Sequence, residues 1–426
     1  MAKILFTCFG SYGDLFPYLA LAKELQQRGH DVAIGTTSIF QLQIEAEGIR
    51  FVHLRNNLDV YSTAPEIRAF IRRIFDPLKG GELITREMMA RIEDTYQDTL
   101  NAIEKVDLVI SNPLAYATPI ACRQRQITWL STVLAPMFFL SVYDPPIISV
   151  APWVQKIHRF SPPLYRGLFK LIKAATLSWT KPVYQLCERH HLPKPSGNPL
   201  FEGQYSPHGT LAMFSECFAD PQPDWPVHTH ITGFPLYSRE ISENNKRQAL
   251  KHFIEAGNAP LVFALGSSAV NMADDFYVVS AAITRQLKKR AVLVYGGHDD
   301  HISNIPPGDD LFIIDYVSYD QLFPDASVIV HQGGIGTLAQ SLCAQRPMLV
   351  VPFGFDQFDN GERIAKLGLG KYLSRKKYTV KNALPIIEEL LNQTSYQQQA
   401  NKVGQFVQRE NGIVKAANRV ETYLMM

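Results

Sequence analysis

Apolar and polar positions alternate in two rhythms over the first fifty residues. Ile4 to Phe9 is an apolar run of strand length, and Leu19, Ala22 and Leu25 then recur at helical spacing until Gly29 closes the helix. Val32-Ala33-Ile34 predicts a second strand, Phe40 to Ala46 a second helix, and Phe51-Val52-His53-Leu54 a third strand. This βαβαβ order predicts a parallel sheet covered on both faces. Asp107 to Ile110 and Ile127 to Ser131 read as further strands.

Residues 135–205 break the rhythm. They are rich in proline and aromatics, with Met137-Phe138-Phe139, Trp153, Phe160, Tyr165, Phe169 and Trp179. Arg166 to Trp179 predicts a helix with Arg166, Lys170 and Lys173 on one side and Leu168, Leu171, Ile172 and Ala175 on the other. A half-buried surface helix would account for it. So would a lid over an apolar pocket, or a peripheral membrane contact through residues 135–180.

Pro221-Gln222-Pro223-Asp224-Trp225-Pro226 is a linker candidate, and strand–helix alternation restarts beyond it. Strands are expected at Leu261–Leu265, Ala291–Tyr295, Leu311–Ile314, Val328–Val330 and Met348–Val351. The expected class is therefore α/β, with two doubly wound, Rossmann-like domains facing across a cleft. Their bounds are read as 1–220, a linker at 221–238, and 239–426, with the last helix free to pack back on the first domain.

Composition narrows the function classes. The 426 residues suffice for two cores, and 46% apolar content is ordinary for globular chains. With 42 basic and 40 acidic residues the net charge is only +2, which disfavours nucleic-acid binding. Cys8, Cys122, Cys187, Cys217 and Cys343 are scattered without a C-x-x-C pair, as small core residues of a reducing compartment would be. The first apolar run is too short for a signal peptide, and no stretch reaches the ~18 apolar residues of a membrane span. A cytoplasmic location is expected, free or at the inner face of the membrane. His190, His191, His208 and His228 show no metal-ligand spacing and read as structural.

The chemistry concentrates in three glycine turns, each after a predicted strand: Gly10-Ser11-Tyr12-Gly13-Asp14-Leu15-Phe16-Pro17, Gly266-Ser267-Ser268, and His331-Gln332-Gly333-Gly334-Ile335-Gly336-Thr337. The third follows Val328-Ile329-Val330 and precedes a helix predicted over Leu338–Gln345. Backbone N–H groups at a helix N-terminus hold a phosphate well, and His331 at the strand tip would add a donor or a positive charge. The turns alone could also be tight turns without a ligand, and His331 a buried strand-end histidine. No turn fits a dinucleotide fingerprint, and the Walker pattern is absent.

The run Tyr316 to Gln357 resembles the donor-binding signature of glycosyltransferase family 1, through Tyr316-Val317, His331 to Thr337, Pro352 and Asp356-Gln357. Gly10-x-x-Gly13-Asp14-x-x-Pro17 resembles the N-terminal motif of its bacterial and sterol branches. The likeness extends to the rhamnolipid-type rhamnosyltransferases through Asp224-Trp225-Pro226, Thr232 to Leu236, Pro260 to Phe263 and Asp356 to Asn360, and is weakest across 55–205.

The resemblance implies a GT-B fold and inverting, metal-independent transfer of a hexosyl group from a nucleotide sugar to a lipophilic hydroxyl. It implies donor contacts at Gly13, Ser267, Ser268, Tyr316, Val317, His331, Gly333, Gly334, Gly336, Thr337, Asp356 and Gln357. No cofactor or metal is implied. Asp14 stands where plant members carry a catalytic histidine, so it is the expected general base, or else a cap on a helix starting near Phe16.

Two departures bear on the donor. Tyr316 replaces a tryptophan, and Ala339 replaces a glutamate that binds both ribose hydroxyls. The second favours a dTDP-sugar and leaves UDP-sugars open. A nucleotide-sugar 2-epimerase and a non-catalytic nucleotide-sugar-binding protein are the competing classes.

Overall fold

The structure, a computed structural model, describes residues 1–61, 63–147, 153–238 and 245–425. They fall into two compact units. One is Met1–Tyr237 with Glu410–Met426, the other Ser238–Arg409.

The first unit holds seven parallel strands: β1 (Lys3–Thr7), β2 (Asp31–Thr36), β3 (Arg50–His53), β4 (Leu108–Ser111), β5 (Trp129–Val133), β6 (Thr210–Ala212) and β7 (Thr229–Ile231). Their order is β3-β2-β1-β4-β5-β6-β7. The second unit repeats the plan with β8 (Leu261–Ala264), β9 (Ala291–Val294), β10 (Leu311–Ile314), β11 (Val328–His331), β12 (Met348–Val350) and β13 (Gly370–Tyr372), in the order β10-β9-β8-β11-β12-β13. Each sheet reverses direction of growth once, between β1 and β4 and between β8 and β11. Such switch points are where open parallel sheets bind ligands, outside the carboxyl ends of the strands.

Continuous apolar runs make the central strands because both faces are covered. In the second unit Leu261, Phe263, Leu293 and Val330 pack toward Phe276 and Tyr277. Their neighbours Val262, Ala264, Val292 and Ile329 pack the other way, toward Leu322 and Phe323. In the first unit Leu5, Val109 and Trp129 share a core with Tyr96 and Leu186.

Five helices follow the chemistry-bearing turns or lie in the aromatic segment, α1 (Tyr12–Gln27), α2 (Trp153–Phe160), α3 (Pro162–Thr176), α4 (Ile335–Cys343) and α5 (Gln357–Lys366), and a further helix is α6 (Gly412–Leu424). The chain returns to the first unit through α6. Glu421 of α6 pairs with Arg28 at 2.7 Å and lies 3.2 Å from His30, just past the end of α1.

Three expectations are corrected. The 221–238 stretch is packed structure, not a free linker. It contains β7, Trp225 stacks on Phe139 with ring centroids 4.2 Å apart, and Asp224 accepts from Ser141 Oγ and the Val142 N–H at 2.6 and 2.7 Å. Helix α1 begins at Tyr12, well before Phe16, and α4 begins at Ile335, before Leu338. Strands β6, β7 and β13 and the helices Ala64–Ile74, Gly80–Ala90 and Ile92–Ala102 add to the elements expected from the sequence. Within the 135–180 stretch, residues 148–152 lie outside the described residues, as do 239–244 at the expected start of the second domain. Among the described residues no helix is long and apolar enough to cross a membrane.

Candidate functional site

In the second unit the two glycine turns meet at the switch point. β8 and β11 are direct neighbours, with His331 opposite Ala264, so the turns after them stand side by side. A Cβ on Gly266 would lie 2.3 Å from Gln332 Nε2 and 3.6 Å from Thr337 Oγ1.

The turn after β11 needs glycine first for its backbone. Gly333 has φ +90°, and a Cβ there would stand 2.5 Å from Val350 Cγ1. Asn360 of α5 locks this residue by donating from Nδ2 to its carbonyl at 2.8 Å. Gly334 is the N-cap of α4, and no side chain caps the helix. Among the described residues the N–H groups of Ile335, Gly336 and Thr337 therefore have no acceptor. Gly336 differs from Gly333. Its backbone is helical, and among the described residues no atom outside its own helical turn and chain neighbours lies within 4 Å of where a Cβ would be. Glycine there costs helix stability with no internal gain, which fits a position kept bare for the close approach of a ligand.

His331 does not play the expected part. It is fully buried, Nδ1 accepts from the Gly333 N–H at 3.0 Å, and Nε2 lies 3.5 Å from Met348 Sδ. A ring nitrogen that accepts a backbone N–H is unprotonated, and burial depresses the pKa from 6.5 to about 3. His331 is thus a neutral brace under the turn. It offers the cradle neither positive charge nor a free donor.

Sequence reasoning misses Gln332 as a site residue, although it sits inside the motif. Its side chain is 4% exposed, Nε2 donates to Thr337 Oγ1 at 3.2 Å, and Oε1 has no partner among the described residues. A polar side chain between a strand tip and a glycine pair was the available signal. Asn360 is missed too. It lies four residues past Asp356 on one helix face and donates to Asp356 Oδ2 at 2.8 Å.

The remaining predicted donor residues differ in exposure and in their partners. Ser267 is exposed and Ser268 half-buried, both just past β8. Tyr316 is 44% exposed past β10, while Val317 is a core residue and can offer only its backbone. Asp356 is half-buried at the N-cap of α5. Gln357 Oε1 accepts from the N–H groups of Phe353 and Gly354 at 2.8 and 3.2 Å, so its amide nitrogen is the part left for a ligand. Ala339 is buried and carries no acceptor.

In the first unit, Asp14 follows β1 at that sheet's switch point. Ser11 is the N-cap of α1 and Asp14 its third residue, and the two form a capping box. Asp14 Oδ2 accepts from the Ser11 N–H at 2.7 Å and the Ser11 hydroxyl at 3.1 Å, which leaves Oδ1 outside the cap. Gly13 donates its N–H to Ser11 Oγ at 3.2 Å. Gly10 makes room for the carboxylate: φ is +132°, and a Cβ would meet Asp14 Oδ2 at 2.3 Å. Asp14 is half-buried. Desolvation raises its pKa above the ordinary 3.8, and the Ser11 hydrogen bonds oppose the rise without cancelling it. Burial pushes Cys8 and Tyr18 up as well, so neither competes as a base near neutral pH.

The first unit thus offers a capped carboxylate of raised pKa, and the second an uncapped, glycine-lined helix N-terminus. Comparison with known proteins shows what the chain is similar to. Residues 4–144 match the N-terminal domain of glycosyltransferase family 28, and residues 287–410 match the C-terminal domain typified by the erythromycin biosynthesis protein CIII. The chain is 27% identical to O-mycaminosyltylonolide 6-deoxyallosyltransferase of Streptomyces fradiae, covering 99% of this chain and 97% of that protein. It is 24% identical to a sterol 3-beta-glucosyltransferase of Arabidopsis thaliana, covering 99% of this chain and 68% of that one. The fold matches the crystal structure of the calicheamicin glycosyltransferase CalG4, with a TM-score of 0.75 at 17% identity over 100% of this chain and 98% of the other. The chain is a glycosyltransferase with the GT-B fold, and it is similar to the UDP-glycosyltransferases in both of its halves.

Proposed function

We propose that the protein transfers a hexosyl group, with inversion and without a metal, from a dTDP- or UDP-sugar to a hydroxyl of a lipophilic small molecule or lipid. The observation that carries this reading is the α4 N-terminus: unspent N–H groups, no side-chain cap, and open space at Gly336.

In this reaction the acceptor oxygen attacks the anomeric carbon opposite the diphosphate. Asp14 takes the hydroxyl proton as the new C–O bond forms and the bond to the diphosphate oxygen breaks. The leaving nucleoside diphosphate gains negative charge. The N–H groups of Ile335, Gly336 and Thr337 and the hydroxyls of Ser267 and Ser268 would stabilise it, as preorganised dipoles do in place of a cation. Asp356 and the Gln357 amide nitrogen would hold the sugar hydroxyls, and Tyr316 with the Val317 backbone the base. Gly13 would contribute through its missing side chain. The acceptor is assigned to the first unit and the donor to the second. The aromatic 135–205 segment and the relatives' names, a sterol glucosyltransferase among them, support a lipophilic acceptor. Such acceptors are met at membranes, and α2 and α3 are the part of the chain suited to that contact.

A thermal-shift panel of UDP-, dTDP- and GDP-sugars, followed by mass spectrometry with mixed lipid acceptors, tests the proposal. Stabilisation by dTDP-sugars and a product heavier than the acceptor by one hexosyl group are expected. Much tighter binding of UDP would refute the dTDP preference drawn from Ala339. An altered sugar formed from donor alone would indicate an epimerase, and binding without turnover a non-catalytic protein.

A further inference from the structure

Residues 145–187 contain six Lys or Arg (Lys156, Arg159, Arg166, Lys170, Lys173, Lys181) and no Asp or Glu. The chain as a whole carries 42 basic and 40 acidic residues, so this stretch is a local exception. It also leaves large apolar side chains outside. Phe160 is 84% exposed, Leu164 60% and Leu171 68%.

The local fold explains why these side chains point outward. α2 and α3 form a hairpin joined at Ser161, whose N–H donates to Ile157 O at 2.7 Å and whose carbonyl accepts from the Tyr165 N–H at 3.1 Å. His158 and Tyr165 pack edge to face across the hairpin at 5.3 Å. The inner face of α3 is taken. Tyr165 is buried, Phe169 lies edge-on to Phe201 at 5.5 Å, and Lys173 pairs with Glu202. The core requirement of α3 is therefore met without Leu164 and Leu171. These two stand seven residues apart, with Gly167 and Ala174 exposed between and beyond them, so one apolar stripe runs along the outer face. Phe160 sits at the hairpin corner, and Arg166 and Lys170 are exposed along the stripe's flank.

We propose that this hairpin is a docking surface for anionic lipid bilayers, with Phe160, Leu164 and Leu171 entering the headgroup boundary and Arg166 and Lys170 on lipid phosphates. Helices that lie in the membrane interface pair an apolar stripe with basic residues in this way. Charge selects the occupant. A second copy of the same face would set basic side chains against basic side chains, whereas an anionic headgroup layer complements them. The surface serves whatever chemistry the protein performs, because it involves neither Asp14 nor the glycine cradle.

The test is co-sedimentation of the full chain with vesicles of phosphatidylcholine alone and of phosphatidylcholine mixed with phosphatidylglycerol. Binding to the mixed vesicles only is expected, weakening as salt is raised. The double variants L164S/L171S and R166E/K170E should each bind the mixed vesicles about tenfold more weakly. An unchanged melting temperature shows that each variant is folded. Failure to pellet with either vesicle overturns the proposal. So does equal binding to both that R166E/K170E leaves intact. A concentration-dependent doubling of mass in solution, lost in L164S/L171S and without vesicle binding, assigns the face to self-association and also overturns it. None of these readouts depends on glycosyl transfer, so the surface and the reaction stand or fall separately.

Discussion

The turns after β1 and β11 begin from the same plan and end with opposite chemistry. Both leave a central strand at a switch point, use glycine at positive φ, and enter a helix. In the first, the chain caps its own helix: Ser11 Oγ takes the Gly13 N–H, and Asp14 reaches back to Ser11. In the second, no side chain caps α4. A helix start that supplies its own anion keeps a carboxylate in place. One that supplies none is left to bind an anion from outside. The two turns differ in a serine at the N-cap, Ser11, and in one acidic side chain in the first helical turn, Asp14.

The largest expected effect comes from removing that side chain. Asp14→Asn keeps an oxygen to accept the Ser11 N–H but cannot take a proton. Glycosyl transfer should fall by roughly 10²–10⁴-fold, with donor affinity and melting temperature nearly unchanged. Asp14→Ala should lose the same activity and also about 1 kcal/mol of stability with the cap. Full activity of the Asn variant would remove Asp14 from the mechanism. The raised pKa has a signed consequence. The base works deprotonated, so kcat/KM should fall as pH drops through a pKa above the ordinary carboxylate value of 3.8.

The comparison also marks how far the sequence could be read. The central strands were legible because both their faces are buried, which leaves runs such as Leu261–Ala264 and Val328–Val330 apolar throughout. Thr210–Ala212, Thr229–Ile231 and Gly370–Tyr372 were not, since three residues of mixed polarity are too few to show a strand period. Glycine spacing located the cradle. It could not reveal that Met348 of β12, seventeen residues on, closes over the far nitrogen of His331. The role of a histidine at a strand tip is set by such non-local neighbours, and here they turn an expected donor or cation into a brace.

That brace should be visible in the pH dependence of stability. The folded pKa of His331 is depressed from 6.5 to about 3, so the unfolded chain binds a proton that the folded one refuses. Its contribution is complete above about pH 6.5 and is lost as pH falls toward 3. It should cost roughly 1.4 kcal/mol by about pH 5.5. Urea titrations at pH 8 and 5.5 would measure this, and His331→Gln should flatten the difference. Donor affinity at pH 8 should change little in that variant. A large loss of affinity with stability intact would restore a direct contact between the ring and the diphosphate.

The smallest expected effect separates the two glycines of the cradle most sharply. Gly333 is glycine because its backbone and Val350 demand it, whereas Gly336 answers to nothing inside the protein. Gly336→Ala should therefore stabilise the second unit, by up to about 1 kcal/mol, through helix propensity alone. The same methyl group stands over the uncapped N–H groups and should weaken dTDP binding several-fold by calorimetry. Few substitutions are expected to raise stability and lower affinity together, because most damage to a binding site is also damage to the fold. If Gly336→Ala binds dTDP as well as the parent chain does, no ligand comes close to that turn. The anion would then have to be held by Ser267, Ser268 and Gln332 alone.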